Sequence, residues 1–182
     1  MDPRTFLPGA PTAVATVPAV GEPARDLPVD LDGRPTVVVF LRHVGCPFAE
    51  ATFRAAHELA ATDSAARWIV VSHGSRDATR SWCEAVAGGP GALELVVDDD
   101  RAVYAAWGLG RTSLGHFLGR RSLGEVVRLS REGIRNRHPS GTRWQSAGTF
   151  GLDAAGTVRY VHVPQHAGDL PDLQAAAAAT RR

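Results

Sequence analysis

The sequence predicts a single α/β domain with a central mixed sheet flanked by helices. Two unbroken apolar runs, at 36–41 and 68–72, are separated by a helix-forming stretch long enough for a parallel crossover. Strand and helix then keep alternating, and a hairpin signal near the C-terminus adds antiparallel pairing.

The elements follow in order. Residues 1–30 are rich in Pro, Ala and Val and read as an extended arm that adds edge strands. Asp32-Gly33 is a turn, and the main domain spans 31–182. The run 36–41 is β-branched and aromatic without alternation, which suits a strand buried on both faces. Pro47 fits the first turn of a helix, where its missing N–H costs nothing. Residues 48–61 contain no Gly or Pro and place Thr52, Ala56 and Leu59 on one face of that helix. A second buried strand covers 68–72, a second helix 76–87 before Gly88-Gly89-Pro90, and a third strand 93–97. Residues 101–107 form a short helix stopped by Gly108. Strands at 148–152 and 158–163 flank Asp153-Ala154-Ala155-Gly156, and 170–179 is a terminal helix.

Composition narrows the function. Hydrophobic residues are 44% and charged residues 21% of 182, near the soluble average, which excludes a disordered or fibrous chain. No apolar run reaches membrane-spanning length, and Met1-Asp2-Pro3-Arg4 lacks the start of a signal peptide. A net charge of +1 gives no bias towards nucleic acid or anionic membrane. Two cysteines, Cys46 and Cys83, are too few for a disulfide scaffold, so the expectation is a cytoplasmic protein whose thiol does chemistry. All basic residues are arginine, so no lysine can form a Schiff base. Residues 111–143 hold eight arginines against Glu125 and Glu132, a local charge of +6. Leu123, Val126, Val127 and Leu129 place a helix there, and the segment reads as a basic insertion, a lid or a partner surface.

The chemistry concentrates at Phe40-Leu41-Arg42-His43-Val44-Gly45-Cys46-Pro47-Phe48. A cysteine at the carboxyl end of a buried strand and the start of a helix stands where open α/β sheets place their ligands. There a thiolate faces unpaired N–H groups and the positive end of the helix dipole, and Arg42 and His43 add positive potential. No metal site is read from His43 and Cys46, since no Cys/His cluster follows them. The run 98–100 reads as a solvated, helix-capping turn, and Ser72-His73-Gly74-Ser75 as a loop flanking the thiol. Gly108-Leu109-Gly110 is too short for a dinucleotide fingerprint.

Phe40-Leu41-Arg42-His43-x-Gly45-Cys46-Pro47-Phe48 resembles the thioredoxin-like proteins of the alkyl hydroperoxide reductase and thiol-specific antioxidant (AhpC/TSA) superfamily. The chain is most similar to the peroxiredoxin-like branch that includes prostamide/prostaglandin F synthase-type proteins. The resemblance continues through residues 98–109, through Gln145-Ser146-Ala147-Gly148-Thr149-Phe150-Gly151-Leu152-Asp153, and through Gly156-x-Val158-x-Tyr160. It implies a thioredoxin-like fold with an N-terminal extension and a basic insertion. It also implies thiol-dependent reduction of a peroxide or similar oxidised small molecule, with Cys46 as nucleophile, Arg42 and Arg143 polarising the substrate, and His43, Gly45, Pro47, Phe48, Gly148 and Thr149 around the pocket. An external thiol would be the reductant. No cofactor, nucleic acid or membrane is implied, and a homodimer is compatible.

This chain departs from the pattern. Ala49 stands where the branch often has a second cysteine, which removes dithiol exchange through a Cys-x-x-Cys pair. His43 and Val39 replace the usual Thr or Ser and Pro of peroxiredoxins, and Gly148 precedes Thr149 where thioredoxins carry a cis-proline. Two other readings therefore stand beside the first: a monothiol enzyme of a specialised biosynthetic pathway, and a non-catalytic thioredoxin-like binding module. Cys83 resembles the resolving cysteine that some peroxiredoxins draw from the corresponding helix. Its neighbours Ala78, Trp82 and Val86 equally suit a thiol that simply packs, and the expectation is recycling by an external thiol.

Overall fold

The structure is a computed structural model that describes residues 13–112, 128, 133–134 and 142–182. The two buried runs become β1 (Thr36–Phe40) and β2 (Arg67–Ser72), joined by α1 (Pro47–Thr62) and paired in parallel. The chain continues through α2 (Arg76–Ala87), β3 (Glu94–Val97) and α3 (Ala102–Ala106), with β3 parallel to β2. The hairpin strands β4 (Gly148–Leu152) and β5 (Val158–His162) run antiparallel and lead to α4 (Leu173–Ala179). The five-stranded sheet has the order β3-β2-β1-β4-β5. This mixed sheet flanked by helices is the thioredoxin-like architecture that the sequence predicts. Helix α4 starts later than the expected 170–179, because the Asp172 carboxylate caps it by accepting the Ala175 N–H at 2.9 Å.

Strand β1 is buried throughout, and the period of two divides its side chains between two cores. Val37, Val39 and Leu41 face one core with Phe53 of α1, Trp82 and Cys83 of α2, and Ala176 of α4. Val38 and Phe40 face the other, with Ile69, Tyr104, Trp107, Phe150 and Leu152. Phe40, Trp107 and Phe150 meet with ring centroids 4.7–5.8 Å apart, in the edge-on and tilted geometries that aromatic quadrupoles favour.

The N-terminal segment departs from expectation. No strand is present over 13–31. A single bridge joins Pro23 to Thr157. The segment instead lays Val17, Ala24, Leu27, Val29 and Leu31 against the second core, on the side where α3 spans only five residues. Its backbone is held by Ala15 N–H to Ala105 O, Ala24 N–H to Gly156 O and Trp107 Nε1–H to Asp26 O. At Gly108 the approach is so close that a Cβ would lie 2.5 Å from the Val17 nitrogen, so no side chain fits. Among the described residues no helix is long and apolar enough to cross a membrane.

Most of the basic insertion, including its expected helix, lies outside the described residues. Its two ends are zipped together. Arg111 bridges Gln145, Thr112 N–H donates to Trp144 O, Ser146 N–H donates to Gly110 O, and Gln145 Nε2 donates to Leu109 O at 2.7 Å. Ile134 is buried in the core under α1.

Tyr104 ties the carboxyl ends of the two central strands. Its fully buried hydroxyl lies 2.6 Å from Leu41 O and 2.9 Å from Val71 O, and burial pushes its pKa well up, so it remains a donor. Tyr104→Phe leaves these carbonyls without that proton. We expect a loss of about 1–3 kcal/mol in urea unfolding, with the m-value unchanged. Wild-type stability would show that the tie contributes nothing.

Candidate functional site

The turn between β1 and α1 builds the site. Cys46 N–H donates to His43 O at 3.2 Å, closing a four-residue turn in which Gly45 has φ = +91°. Only glycine takes that conformation without strain. Cys46 is thereby the N-cap residue of α1, Pro47 occupies the first helical position, and the Cys46 carbonyl accepts the Glu50 N–H at 2.9 Å. The Cys46 N–H is spent on the turn and Pro47 has none. Phe48 and Ala49 are the helix-start N–H groups left without a partner among the described residues. In sequence, the unpaired N–H groups facing a thiolate at Cys46 would be those of Gly45 to Phe48. The geometry removes Cys46 and Pro47 from that set and adds Ala49.

Cys46 is 4% exposed, at the edge of the α1-side core. Burial holds the Arg42 guanidinium below its ordinary pKa, and the charge of Cys46 works against that shift, which places the two groups in mutual electrostatic range. Arg42 Nη2 donates to Arg143 O at 3.2 Å. Arg143, predicted as a substrate-polarising side chain, therefore contributes a main-chain acceptor that positions Arg42, and its own charge reaches His43.

Two buried imidazoles complete the cluster. His43 Nδ1 bonds Val44 O at 2.9 Å, and His73 Nε2 bonds Arg42 O. Burial lowers the His43 pKa to about 3, opposed by its Val44 hydrogen bond and assisted by Arg42, His73 and Arg143. Burial lowers His73 to about 4, with Arg101 assisting. Both rings are neutral at neutral pH, so neither supplies the positive potential expected of His43. The segment 72–75 does flank the site, through His73. Asp98 and Asp100 hold N–H groups at the start of α3, Asp98 Oδ2 accepting Tyr104 N–H and Asp100 Oδ1 accepting Ala102 N–H, but Asp98 is buried and not solvated. Among the described residues no group of three potential ligands could hold a metal ion.

A narrow cleft runs alongside. It is lined by Phe48, Ala49 and Thr52 of α1, by Phe40 to Arg42 and Ala147 to Thr149 from β1 and the start of β4, and by His162, Ala167, Asp169 and Leu170. Of the expected pocket residues, Phe48, Gly148 and Thr149 line it with Arg42, whereas His43, Gly45 and Pro47 build the adjoining turn. His162 and Asp169 were not anticipated. His162 is the β5 partner of Thr149, so a period-two reading of the hairpin from Thr149 puts it on the α1 face.

Cys83 is fully buried among the α1-side core residues, and burial, with Glu84 assisting, raises its pKa to about 11. Both cysteines are free thiols.

Residues 54–166 match the family described as AhpC/TSA antioxidant enzyme. The matched region begins beyond Cys46. No curated protein matches the chain. Among solved structures, a peroxiredoxin-like protein from Aquifex aeolicus shares 16% identity over 92% of this chain and 89% of its own, with a TM-score of 0.62. A thiol peroxidase from Chromobacterium violaceum shares 18% identity over 90% and 86%, with a TM-score of 0.58. A cysteine-to-serine mutant of peroxiredoxin 6 from Arenicola marina shares 12% over 87% and 70%, with a TM-score of 0.62. These likenesses establish the fold.

The buried neutral histidines set the acid stability. An unfolded histidine titrates near 6.5, while the folded values are about 3 and about 4, so between these limits the unfolded chain binds more protons. Their contribution is complete above about pH 6.5 and is lost as pH falls towards 4 and 3. Urea midpoints should drop from pH 7 to pH 5, and the drop should be smaller in His43→Gln and His73→Gln. An identical pH slope in both variants would contradict this account.

Proposed function

The chain belongs to the AhpC/TSA antioxidant enzyme family, and on that premise we propose that it is a thiol-dependent reductase with Cys46 as its nucleophile and a peroxide as its oxidised substrate. The observation that carries the reading is the setting of Cys46: it caps a sixteen-residue helix in a turn fixed by Gly45, two spare N–H groups follow it at the helix start, and the Arg42 guanidinium lies in electrostatic range. Helix-start N–H groups and a guanidinium favour negative charge on oxygen as the peroxide bond breaks.

The Cys46 thiolate attacks one peroxide oxygen. The sulfur–oxygen bond forms as the oxygen–oxygen bond breaks, and the departing alkoxide takes a proton from solvent. Cys46 becomes a sulfenic acid. The N–H groups of Phe48 and Ala49, with Arg42, stabilise the charge passing to oxygen. Ala49 leaves no neighbouring thiol on the helix, and Cys83 is held in the core with a raised pKa. Reduction therefore comes from an external thiol, and oxidised Cys46 makes no internal disulfide.

The low exposure of Cys46 favours the other reading, a thioredoxin-like binding module, and one experiment separates the two. The protein is treated with one equivalent of cumene hydroperoxide in the presence of dimedone, and intact mass is measured. We expect one dimedone adduct, at Cys46, unchanged in Cys83→Ser and absent in Cys46→Ser. No adduct would leave the binding module. A loss of two hydrogens that disappears in Cys83→Ser would show that Cys83 resolves.

A further inference from the structure

On the second-core side of the sheet, a cavity of about 250 Å³ opens between the N-terminal segment, α3 and the neck of the insertion. Its charged lining is Arg101 and Arg111, and no acidic residue lines it. Among the described residues neither guanidinium has an ion pair or a hydrogen bond, and Arg111 Nη2 is closed off from solvent without an acceptor. A cationic donor left in that state is costly. Both arginines are only partly exposed, so water screens them less than it screens a surface charge. Much of the remaining wall is apolar, at Val14, Ala105 and Leu109. Val14 is 45% exposed, one of two large apolar side chains left open among the described residues. The walls are tied to one another. Arg111 bridges Gln145, Ser146 N–H donates to Gly110 O at 2.9 Å, and Ala15 N–H donates to Ala105 O at 2.9 Å. Gln145 Nε2 is committed to Leu109 O, which leaves the two guanidiniums as the donors facing the space.

We propose that this cavity binds a short aliphatic carboxylate, with Arg101 and Arg111 holding the carboxylate and Val14, Ala105 and Leu109 taking the chain. A guanidinium keeps its charge at any working pH, and its planar fork matches the two oxygens of a carboxylate. The unsatisfied Arg111 Nη2 then gains an acceptor, and the open face of Val14 gains cover. An inorganic anion would satisfy the arginines alone, and a neutral hydrocarbon the apolar wall alone; the lining asks for both in one molecule. Size sets the chain length. An apolar cavity of about 150 Å³ already takes a benzene-sized ligand, while drug-sized ligands occupy about 300 Å³ or more. The space therefore suits a chain of several carbons. Because the connecting backbone is already fixed, little ordering has to accompany binding. The site is separate from the thiol and does not depend on the peroxidase reading. It borders the polar interior all the same: Arg101 lies in electrostatic range of His73, whose ring bonds Arg42 O.

The test is a titration of the full chain, labelled with nitrogen-15, by hexanoate, acetate and inorganic phosphate in turn at pH 7.5 and fixed ionic strength. Hexanoate should move the amide signals of Gly110 and Arg111 saturably. Acetate, which lacks the chain, and phosphate, which lacks any apolar part, should each bind more weakly. Arg111→Gln and Arg101→Gln should each weaken hexanoate by about tenfold or more, the loss of one charged hydrogen-bonding partner. Arg34→Gln removes an exposed arginine before β1, at the opposite end of the parallel strands, and should leave the affinity unchanged. Urea unfolding without ligand checks that each variant is folded, and Arg101→Gln carries the test if Arg111→Gln is not. No saturable shift with hexanoate, unaltered affinity in the two cavity variants, an equal loss in Arg34→Gln, or acetate or phosphate binding as tightly as hexanoate overturns the inference.

Discussion

The hydroxyl of Tyr104 holds together the place from which everything functional departs. At the carboxyl ends of β1 and β2 the ladder stops, and the carbonyls of Leu41 and Val71 come to lie in a water-excluded core. Buried carbonyls need donors. Tyr104 supplies one from α3, and Leu41 N–H supplies another to Val71 O. The ring of Tyr104 also meets His73 edge-on at 5.7 Å, and His73 bonds Arg42 O. Arg42 then reaches Arg143 O at the neck of the insertion. A continuous run of contacts thus passes from the second core to the thiol turn and on to the insertion. The polarity of Arg42, His43 and His73 is tolerated in this interior because each has a main-chain partner.

The two faces of the sheet are covered by unequal means. On one side α1, α2 and α4 supply the usual helical layer. On the other, α3 is too short to shield Ile69, Phe150 and Leu152, and the N-terminal segment serves as cover. A segment with many prolines has little helical alternative, so an extended, pinned course loses less conformational entropy on ordering than the same length of flexible chain. Besides its main-chain bonds, the hydrogen bond from Trp107 Nε1 and the missing side chain at Gly108 fix this extended course: a donor where its carbonyls pass and a gap where its backbone descends.

Legibility in the sequence follows the range of the interactions. β1, β2 and their crossover are readable because burial on both faces writes an unbroken β-branched run into the chain. The Cys46 turn is readable because Gly45, Cys46 and Pro47 carry their own local chemistry. The role of 13–31 is not, since a proline-rich apolar segment suits an edge strand and a surface cover equally until one knows how little α3 conceals. His43 reads as positive potential in the sequence; burial, a tertiary property, makes it neutral. His162 and Asp169 escape notice because β5 carries intermediate burial instead of clean alternation, and its partner lies in an irregular stretch seven residues on. Arg143 draws attention for its charge, whereas its main-chain oxygen does the positioning.

Replacing one thiol by a methyl group changes where reduction has to occur. With a second cysteine on the helix, the resolving sulfur would be tethered, and its effective concentration would be set by the helix itself. With Ala49 in that place and Cys83 raised to about 11 inside the core, the chain owns one usable sulfur. Extracting Cys83 would sacrifice its contacts with the α1-side core, a loss of a few kcal/mol by analogy with emptied core sites. Under the proposed function, a second molecule then delivers the reductant.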